Sequence, residues 1–294
     1  MIKDTYAKSE VHTGRIPTTY HTLSKKYIGI SWPLVEKAIK STRTYQLHDA
    51  RQTSKPKGGQ AIVVPRVGAL LEVDLMQFSG QATKGILPQS ANQGYVGLVV
   101  IVDALSQYVA AAPYKAKNPD VISEITRKLL KKMRTAGIKL KGGKMTSDRG
   151  AEFNMGKPGI FSHTVTSFGL DYIPLPAGRP AVHVESMNKN LRTNINSRLA
   201  ASKKKNWVRL VAAIVHGLNN TSFTDWRAPQ TPVEIVKLSP KAQTAFAKKT
   251  YALKSKRNQK LPGAKLAKLE VGSWVRIALE GKVKGVKMGA KGPK

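Results

Sequence analysis

Three apolar runs of strand length follow one another between residues 69 and 113. They occupy residues 69–78, 94–103 and 108–113, and only residues 104–107 separate the second run from the third. A connection of that length predicts that the second and third strands pair as an antiparallel hairpin. A β-sheet is therefore the expected centre of the fold.

Helices and strands alternate after this hairpin. From residue 121, apolar side chains recur every four positions along one helix face, and Asn118 and Gly137 are typical of its start and end. The order strand-strand-strand-helix-strand-helix-strand-helix is that of a ribonuclease H-like α/β layout, a mixed five-stranded sheet with helices on both faces. The later segments are predicted as a strand at 142–147, a helix at 158–168, a strand at 170–175, a helix at 179–201, and helices at 207–219 and 232–238.

Composition divides the chain into three parts. Residues 1–60 are predicted as a helical N-terminal region, with a helix pair over 17–43 and a turn-rich linker at 52–60. Residues 61–238 are predicted as the central α/β domain. Residues 239–294 are predicted as a basic linker and C-terminal DNA-binding region.

The C-terminal part is strongly basic. Residues 237–294 hold 16 Lys or Arg residues and two Glu residues. Within it, residues 269–277 alternate between polar and apolar side chains, which predicts a strand. The chain ends about 20 residues later, which is too short for a complete SH3-like or chromodomain barrel, so a partial barrel is expected.

Net charge limits the partners of this chain. Its 294 residues include 50 Lys plus Arg against 17 Asp plus Glu, a formal net charge of +33. That excess is far more than solubility requires, and duplex DNA is the polyanion that best matches it, with membrane surfaces and ribosomal RNA as competitors. There is no run of about 18 apolar residues and no apolar N-terminal segment of signal-peptide type, so we expect a soluble, non-secreted protein.

The absence of cysteine limits the metal sites that the chain can form. Without Cys there is no thiolate nucleophile and no Cys-containing zinc site. Among the six histidines, we interpret His12, His21 and His48 as surface or cap residues and expect no zinc site. Any bound metal should therefore be a hard cation with oxygen ligands.

Three carboxylates stand in contexts that suit joint binding of divalent cations. Asp74 lies within an otherwise apolar strand, Asp148 follows the fourth strand, and Glu185 lies near the start of the long helix. An unpaired charge in an apolar strand is costly to bury, so Asp74 is paired, at a strand end, or a metal ligand. Paired hard cations activate the attacking oxygen and stabilise the leaving oxygen at phosphodiesters, which predicts an enzyme that cuts and joins DNA.

Other polar residues near these acids have simpler interpretations. Asp103 also ends a strand, but together with Ser106 it is interpreted as a structural turn residue. Glu152, four residues after Asp148, is either an additional acid of the site or a solvated loop residue. His183 is interpreted as a packed or solvated histidine and not as a metal ligand.

Two cations share the predicted helix face of Glu185. Lys189 and Arg192 follow it at positions i+4 and i+7. The group is either an intrahelical ion pair worth about a few tenths of a kcal/mol, or a metal-binding carboxylate with two DNA-contacting cations beyond it. The residues predicted to contact DNA are Lys189, Arg192, Lys203, Lys204, Lys205 and Arg276.

Four motifs, taken in this order, resemble the core of retroviral-type (DDE) integrases. They are residues 72–75 (EVDL), 100–108 (VIVDALSQY), 146–153 (TSDRGAEF) and 184–192 (VESMNKNLR). The flanking segments 45–48 (YQLH) and 271–277 (VGSWVRI) are most similar to the integrases of Polinton/Maverick self-synthesising transposons and related viruses. The resemblance covers residues 68–238 well and the flanks weakly.

The resemblance implies an integrase catalytic core in residues 61–238, with two Mg²⁺ or Mn²⁺ ions held by Asp74, Asp148 and Glu185. It implies that water attack trims the 3′ ends of DNA, that the freed 3′-OH attacks target DNA, and that no covalent protein intermediate forms. It also implies double-stranded DNA as partner, both element ends and target, a homodimer or homotetramer, no membrane partner, and a location in the nucleus or a viral particle. Integrases of this type often carry an N-terminal His/His/Cys/Cys zinc domain, which this chain cannot form.

Three alternative functions compete with an integrase. A domesticated, catalytically inactive integrase-like protein would keep the fold and the charge for nucleic-acid binding or a structural role, but it would have no need for all three acids. A basic structural protein of an RNA particle would explain the charge but not the acids. A ribonuclease H-type nuclease would share the fold, although the Glu185 helix and the basic tail favour DNA joining.

Overall fold

Five strands form one mixed sheet in the order β3-β2-β1-β4-β5. In the computed structural model, the described residues are 2–3, 16–42, 62–78, 89–156, 159–176, 179–202, 205–222 and 230–260. Strand β2 pairs antiparallel with both β1 and β3, whereas β4 pairs parallel with β1 and β5. The strands are β1 (Leu70–Gln77), β2 (Gly97–Asp103), β3 (Val109–Tyr114), β4 (Gly143–Thr146) and β5 (Leu170–Tyr172).

This sheet confirms the predicted fold class. The second and third strands pair as the hairpin that their short connection predicts, and the parallel strands follow in the ribonuclease H-like order. The fifth strand is shorter than predicted, because it ends at Tyr172 instead of residue 175.

Helices precede the sheet, connect its strands and follow it. They are α1 (Ile16–Ser24), α2 (Trp32–Lys40), α3 (Pro119–Thr135), α4 (Ile160–Thr166), α5 (Val182–Ser202), α6 (Val208–Asn219), α7 (Pro232–Val236) and α8 (Pro240–Lys260). Short 3-10 turns lie at Ser90–Asn92 and Ala151–Gly156. Within the described part of the chain, no helix is both long and apolar enough to cross a membrane.

Both faces of the sheet are buried, as the continuous apolar strands predict. In β2, Val99 and Ile101 belong to the core under α3 and α4, whereas Leu98, Val100 and Val102 belong to the core under α5 and α6. This alternation has the period of two that a strand imposes on its side chains. The helices therefore cover the two faces in separate layers.

The N-terminal helices α1 and α2 form the helix pair predicted over residues 17–43. Ile16, Leu23, Val35 and Ile39 make a small core of their own. The linker at 52–60 lies outside the described residues, as do His12, His48 and the alternating segment 269–277.

Helix α8 was not predicted, because its basic composition was interpreted as a linker. Phe246 and Ala247 are buried and belong to the core under α3. The Gln243 side chain accepts a hydrogen bond from the Val67 amide at 3.1 Å and donates to the Leu238 carbonyl at 3.1 Å. The first turns of α8 are thus packed against the α/β domain.

The turn between β2 and β3 is held by the fully buried side chain of Asp103. Its carboxylate accepts hydrogen bonds from the amides of Gly68 and Ser106, both at 2.7 Å, and from the Ser106 hydroxyl at 2.6 Å. Gly68 lies just before β1, so one side chain joins the β2–β3 turn to the start of the central strand. These contacts confirm that Asp103 is a structural turn residue.

Replacing Asp103 by alanine should destabilise the fold. Asp103→Ala leaves three buried donors without an acceptor, which should lower the free energy of unfolding by about 1–3 kcal/mol. The matched control is Asp120→Ala at an exposed position in the first turn of α3, where the loss should stay below about 1 kcal/mol. Chemical denaturation measures both variants, and equal losses would contradict the role assigned to Asp103.

Candidate active site

Strand register brings Asp148 to the level of Asp74. Strand β4 runs parallel to β1 and pairs Thr146 with Glu72. Asp74 and Asp148 each follow one of these paired residues by two positions. They therefore lie level with each other, Asp74 on β1 and Asp148 just after the end of β4. The neighbouring positions of these two acids follow directly from the parallel pairing of β1 and β4.

Helix α5 brings Glu185 to the same region. It covers the face of the sheet to which Asp74 points, and Glu185 lies in its first turn. The charges of Asp148 and Glu185 both act on the Asp74 carboxylate, as does the charge of Glu152. The structure therefore places all three predicted acids, and a fourth, in one electrostatic neighbourhood.

Asp74 is the half-buried acid at the centre of this group. Its pKa is raised from an ordinary 3.8 to about 6, first by burial and then by the charges of the neighbouring acids, against a hydrogen bond from the Leu75 amide. That amide donates to Asp74 Oδ1 at 2.8 Å, and Asn188 Nδ2 donates to Asp74 Oδ2 at 2.7 Å. Both donors are neutral amides, and no ion pair of Asp74 is present among the described residues, so its role as a metal ligand stays a prediction.

Asn188 is a site residue that the sequence reasoning missed. It lies three residues after Glu185 on α5, and its partner Asp74 is 114 positions away in the chain. Its other side-chain atom, Oδ1, is buried and has no hydrogen-bond partner among the described residues. A buried amide oxygen without a donor, beside a cluster of carboxylates, is an oxygen that a cation can bind.

Glu72 is a second missed residue, and it holds the start of α5. Its carboxylate accepts hydrogen bonds from the backbone amides of His183 at 2.7 Å and Val184 at 2.9 Å. A third bond, of 2.7 Å, joins Glu72 Oε1 to His183 Nδ1. Burial raises the pKa of Glu72, but the bonds from His183 and Val184 outweigh burial and hold the pKa below its ordinary value.

One signal in the sequence could have identified Glu72. Glu72 and Asp74 are two positions apart in an apolar strand, so they lie on one face, and each buried charge needs a partner. The packed interpretation of His183 agrees with its burial.

The structure places Glu185 and the two cations predicted to share its helix face on one helix, α5. Glu185, Lys189 and Arg192 are all exposed on α5. No ion pair joins Glu185 to Lys189 in the described part of α5 and its surroundings, so the intrahelical pair that we considered is not formed. Lys189 keeps its ammonium free of a carboxylate partner among these residues.

Arg192 has a structural contact at the end of β1. Its Nη2 donates to the Gln77 carbonyl at 3.0 Å, and its guanidinium lies 5.5 Å from the centre of the Phe78 ring. Phe78 in turn stacks on the buried Trp207 at 4.4 Å. A guanidinium has five N–H donors, so this single bond leaves others for a further partner.

Glu152 is buried and ion-paired, which overturns the alternative of a solvated loop residue. Its side chain is 6% exposed, and its Oε1 lies 3.1 Å from Lys117 Nζ. It folds back over Gly150, where an added Cβ would lie 2.6 Å from the Glu152 carboxylate. Glycine at position 150 thus leaves room for this fourth acid.

The remaining residues predicted to contact DNA are only partly described. Lys205 is exposed, and its carbonyl accepts a hydrogen bond from Asn92 Nδ2 at 3.0 Å. Lys203, Lys204 and Arg276 lie outside the described residues.

The acids suit a hard cation by their chemistry, but they do not yet form a preorganised metal site. The described residues contain no group of three or more His, Asp or Glu side chains placed closely enough to hold a metal ion. Like charges repel, and Asp148 is exposed with its Oδ1 bonded to the Gly150 amide at 3.2 Å. The donor set of carboxylates and the unpaired Asn188 oxygen nevertheless matches the oxygen ligands that Mg²⁺ and Mn²⁺ prefer.

Asp74→Asn should stabilise the fold at neutral pH. A pKa raised by folding means that the charged carboxylate opposes folding; the penalty is absent below about pH 4 and complete above about pH 6. Removing the charge should therefore raise the free energy of unfolding at pH 7.5 by on the order of 1–2 kcal/mol, after the loss of one acceptor is allowed for.

Thermal unfolding at pH 7.5 and pH 4.5 measures this effect. The gain should shrink at the lower pH, where Asp74 is largely protonated. The control is Asp171→Asn, the same change at an exposed position of β5, which should shift stability little at either pH. A destabilised Asp74→Asn variant, or a gain independent of pH, would contradict this account of the site.

The chain resembles known proteins in structure and not in sequence. No protein-family model matches it, and no curated protein matches it significantly. A chain of the cryo-EM structure of the simian T-cell lymphotropic virus intasome in complex with PP2A regulatory subunit B56 gamma is 14% identical, with a TM-score of 0.47, over 76% of this chain and 75% of that chain. Two structures of the HTLV-2 integrase catalytic core domain in complex with magnesium, the dimeric and trimeric forms, are 16% identical, with TM-scores of 0.41 and 0.42, over 58% of this chain and 97% of theirs.

Proposed function

We propose that this chain is an integrase that processes the 3′ ends of DNA and joins them to target DNA by metal-dependent phosphoryl transfer. The observation that carries the proposal is that Asp148, just after β4, and Glu185, on α5, lie close enough to Asp74 on β1 for their charges to act on it. These are the three acids that the four ordered motifs assign to one site. The chain has a net charge of +33 and nevertheless places several acids near one another. Phosphodiester chemistry, which uses bound cations, would explain this arrangement.

The three acids would hold Mg²⁺ or Mn²⁺, two ions per active site. Bound there, such cations would activate the attacking oxygen and stabilise the leaving oxygen of a phosphodiester. The chain's own part is to orient the oxygens: Asn188 holds one oxygen of Asp74, and the Gly150 amide holds one oxygen of Asp148. In the proposed reaction water first cleaves a P–O bond near the 3′ end, and the new 3′-OH then displaces a 3′-oxygen of the target, without a covalent protein intermediate.

The basic residues would bind DNA beside the acids. Lys189 lies one helical turn beyond Glu185, and its ammonium has no carboxylate partner among the described residues, which suits a phosphate next to the reacting one. Arg192 is one turn further, and the N–H groups that it does not use in its bond to the Gln77 carbonyl, as far as the described residues go, suit a second phosphate. Lys203, Lys204, Lys205 and Arg276 are assigned to the same partner, double-stranded DNA.

The finer assignment is to the integrases of Polinton/Maverick transposons and related viruses. The resemblance of residues 45–48 and 271–277 supports it. This assignment implies a dimeric or tetrameric assembly that functions in the nucleus or a viral particle. It also implies that the chain has three regions, with boundaries near residues 60 and 238.

A domesticated, inactive integrase-like protein is the second candidate. The specific observation in its favour is that the acids do not converge on a metal-binding group within the described residues. The two candidates differ in one measurement: an inactive protein would bind DNA, yet it would neither bind Mn²⁺ at these acids nor join DNA ends.

Each of the three acids should be essential for activity. Asp74→Asn, Asp148→Asn and Glu185→Gln should each reduce end processing and strand transfer by about 100-fold or more, because an amide is a poor replacement for a carboxylate ligand. Circular dichroism should show an intact fold. Assays with labelled DNA ends and Mg²⁺ or Mn²⁺ measure the loss.

The control for these variants is Glu124→Gln, which removes a carboxylate from a surface ion pair with Arg127 and Lys128 on α3. Its activity should match that of the unmodified protein. Near-normal activity in any of the three site variants would refute the proposed triad.

Lys189→Glu should weaken binding of DNA ends far more than binding of internal duplex. In the proposed complex a DNA end lies beside the acids and next to Lys189, whereas binding of internal duplex is spread over many Lys and Arg side chains. The helix itself should lose only about a few tenths of a kcal/mol from the new repulsion with Glu185. Fluorescence anisotropy with end-containing and circular DNA measures the difference.

Lys131→Glu is the matched charge reversal for this comparison, at an exposed position of α3 on the opposite face of the sheet. It should affect ends and internal duplex equally. If Lys189→Glu does the same, or acts by unfolding the protein, Lys189 has no special role at DNA ends.

A further inference from the structure

Helix α5 begins without a capping side chain of its own. The residue before its first turn is Ala181, which has no side-chain acceptor for the free amides at a helix start. The Glu185 amide bonds to the Ala181 carbonyl at 2.9 Å, but the amides of His183 and Val184 need acceptors from elsewhere in the fold.

Glu72 supplies these acceptors from a distance of 111 positions in the chain. One carboxylate oxygen accepts from both amides, at 2.7 and 2.9 Å, and the other is bonded to His183 Nδ1 at 2.7 Å. Glu72 is 3% exposed and His183 is 7% exposed. A carboxylate in this position is favoured by the partial positive charge of the helix start, and its bonds are shielded from water.

We propose that Glu72 is a positioning residue, which sets the start and the rotation of α5 and thereby directs Glu185 toward Asp74. This inference rests on the function proposed above. Glu72 holds two successive amides and one ring of the first turn, so the helix can neither slide nor turn about its axis at this end without breaking a buried bond.

Glu72, which anchors the start of α5, lies on the same face of β1 as the site acid Asp74. Glu72 and Asp74 are two positions apart on this face, while His183 and Glu185 are two positions apart on α5. Further along α5, the Asn188–Asp74 contact is a single hydrogen bond. Loss of the anchor would therefore leave the Glu185 end of the helix held by one polar contact and by packing.

The test compares Glu72→Met with a variant that is destabilised elsewhere. Glu72→Met keeps a side chain of similar length but has no oxygen acceptor and no charge, so all three bonds to His183 and Val184 are lost. Leu130→Ala removes a fully buried side chain from α3, on the opposite face of the sheet, and should lower the melting temperature at least as much. His183→Ala, which leaves the two amide bonds in place, is a milder second variant.

Hydrogen exchange at residues 183–188 is the first readout, and it requires neither metal nor DNA. Exchange in Glu72→Met should be about tenfold faster than in Leu130→Ala, with His183→Ala between them. The second readout is strand transfer at 25 °C. Glu72→Met should lower kcat by about 10- to 100-fold with KM for DNA changed less than about threefold, whereas Leu130→Ala should keep its kcat.

The outcomes separate the two claims. Unchanged exchange in Glu72→Met contradicts the claim that Glu72 anchors α5. Faster exchange with a normal kcat overturns its positioning role, since the helix start would then be irrelevant to Glu185. If the unmodified protein joins no DNA, the proposed function fails, and the exchange data alone then decide whether Glu72 holds α5 and Glu185 in place.

Discussion

A buried carboxylate on the central strand holds the start of the helix that completes the acidic site. Glu72 accepts three hydrogen bonds from His183 and Val184, at a helix start that has no local cap. Further along the same strand, Asp74 accepts from Asn188, and the Gln77 carbonyl accepts from Arg192. Helix α5 is thus joined to β1 at three successive levels. The positions of Glu185 and Asp148 relative to Asp74 follow from these contacts and from the parallel pairing of β4.

The same arrangement concentrates negative charge in a strongly basic protein. Asp74 has a pKa raised to about 6 by burial and by three neighbouring acids, so the fold retains a carboxylate where a neutral side chain would be more stable. Proteins keep such locally unfavourable groups mainly where function needs them. Glu152 differs from the other acids because Lys117 neutralises it. Among these four acids, the three without an ion pair in the described structure are those that the integrase-like motifs assign to catalysis.

Local patterns predicted the fold and led to the proposal of three site acids, but they did not predict the contacts that orient these acids. Apolar runs and a four-residue connection were sufficient for the β2–β3 hairpin, and the strand–helix order was sufficient for the mixed sheet. Glu72 and Asn188 were missed because their partners are 111 and 114 positions away, beyond any helical or strand period. Helix α8 was missed for a different reason: its many lysines obscured the few apolar residues, such as Phe246, that pack on the core.

The central claim is that this acidic site joins DNA ends to other DNA with the help of divalent cations. A strand-transfer assay on the complete chain, with labelled duplex ends, unlabelled target and either Mg²⁺, Mn²⁺ or EDTA, tests it most directly. The account predicts labelled products longer than the substrate with Mn²⁺ or Mg²⁺ and none with EDTA. DNA binding without any joined product under all three conditions, across a range of end sequences, would contradict it and favour the inactive integrase-like protein.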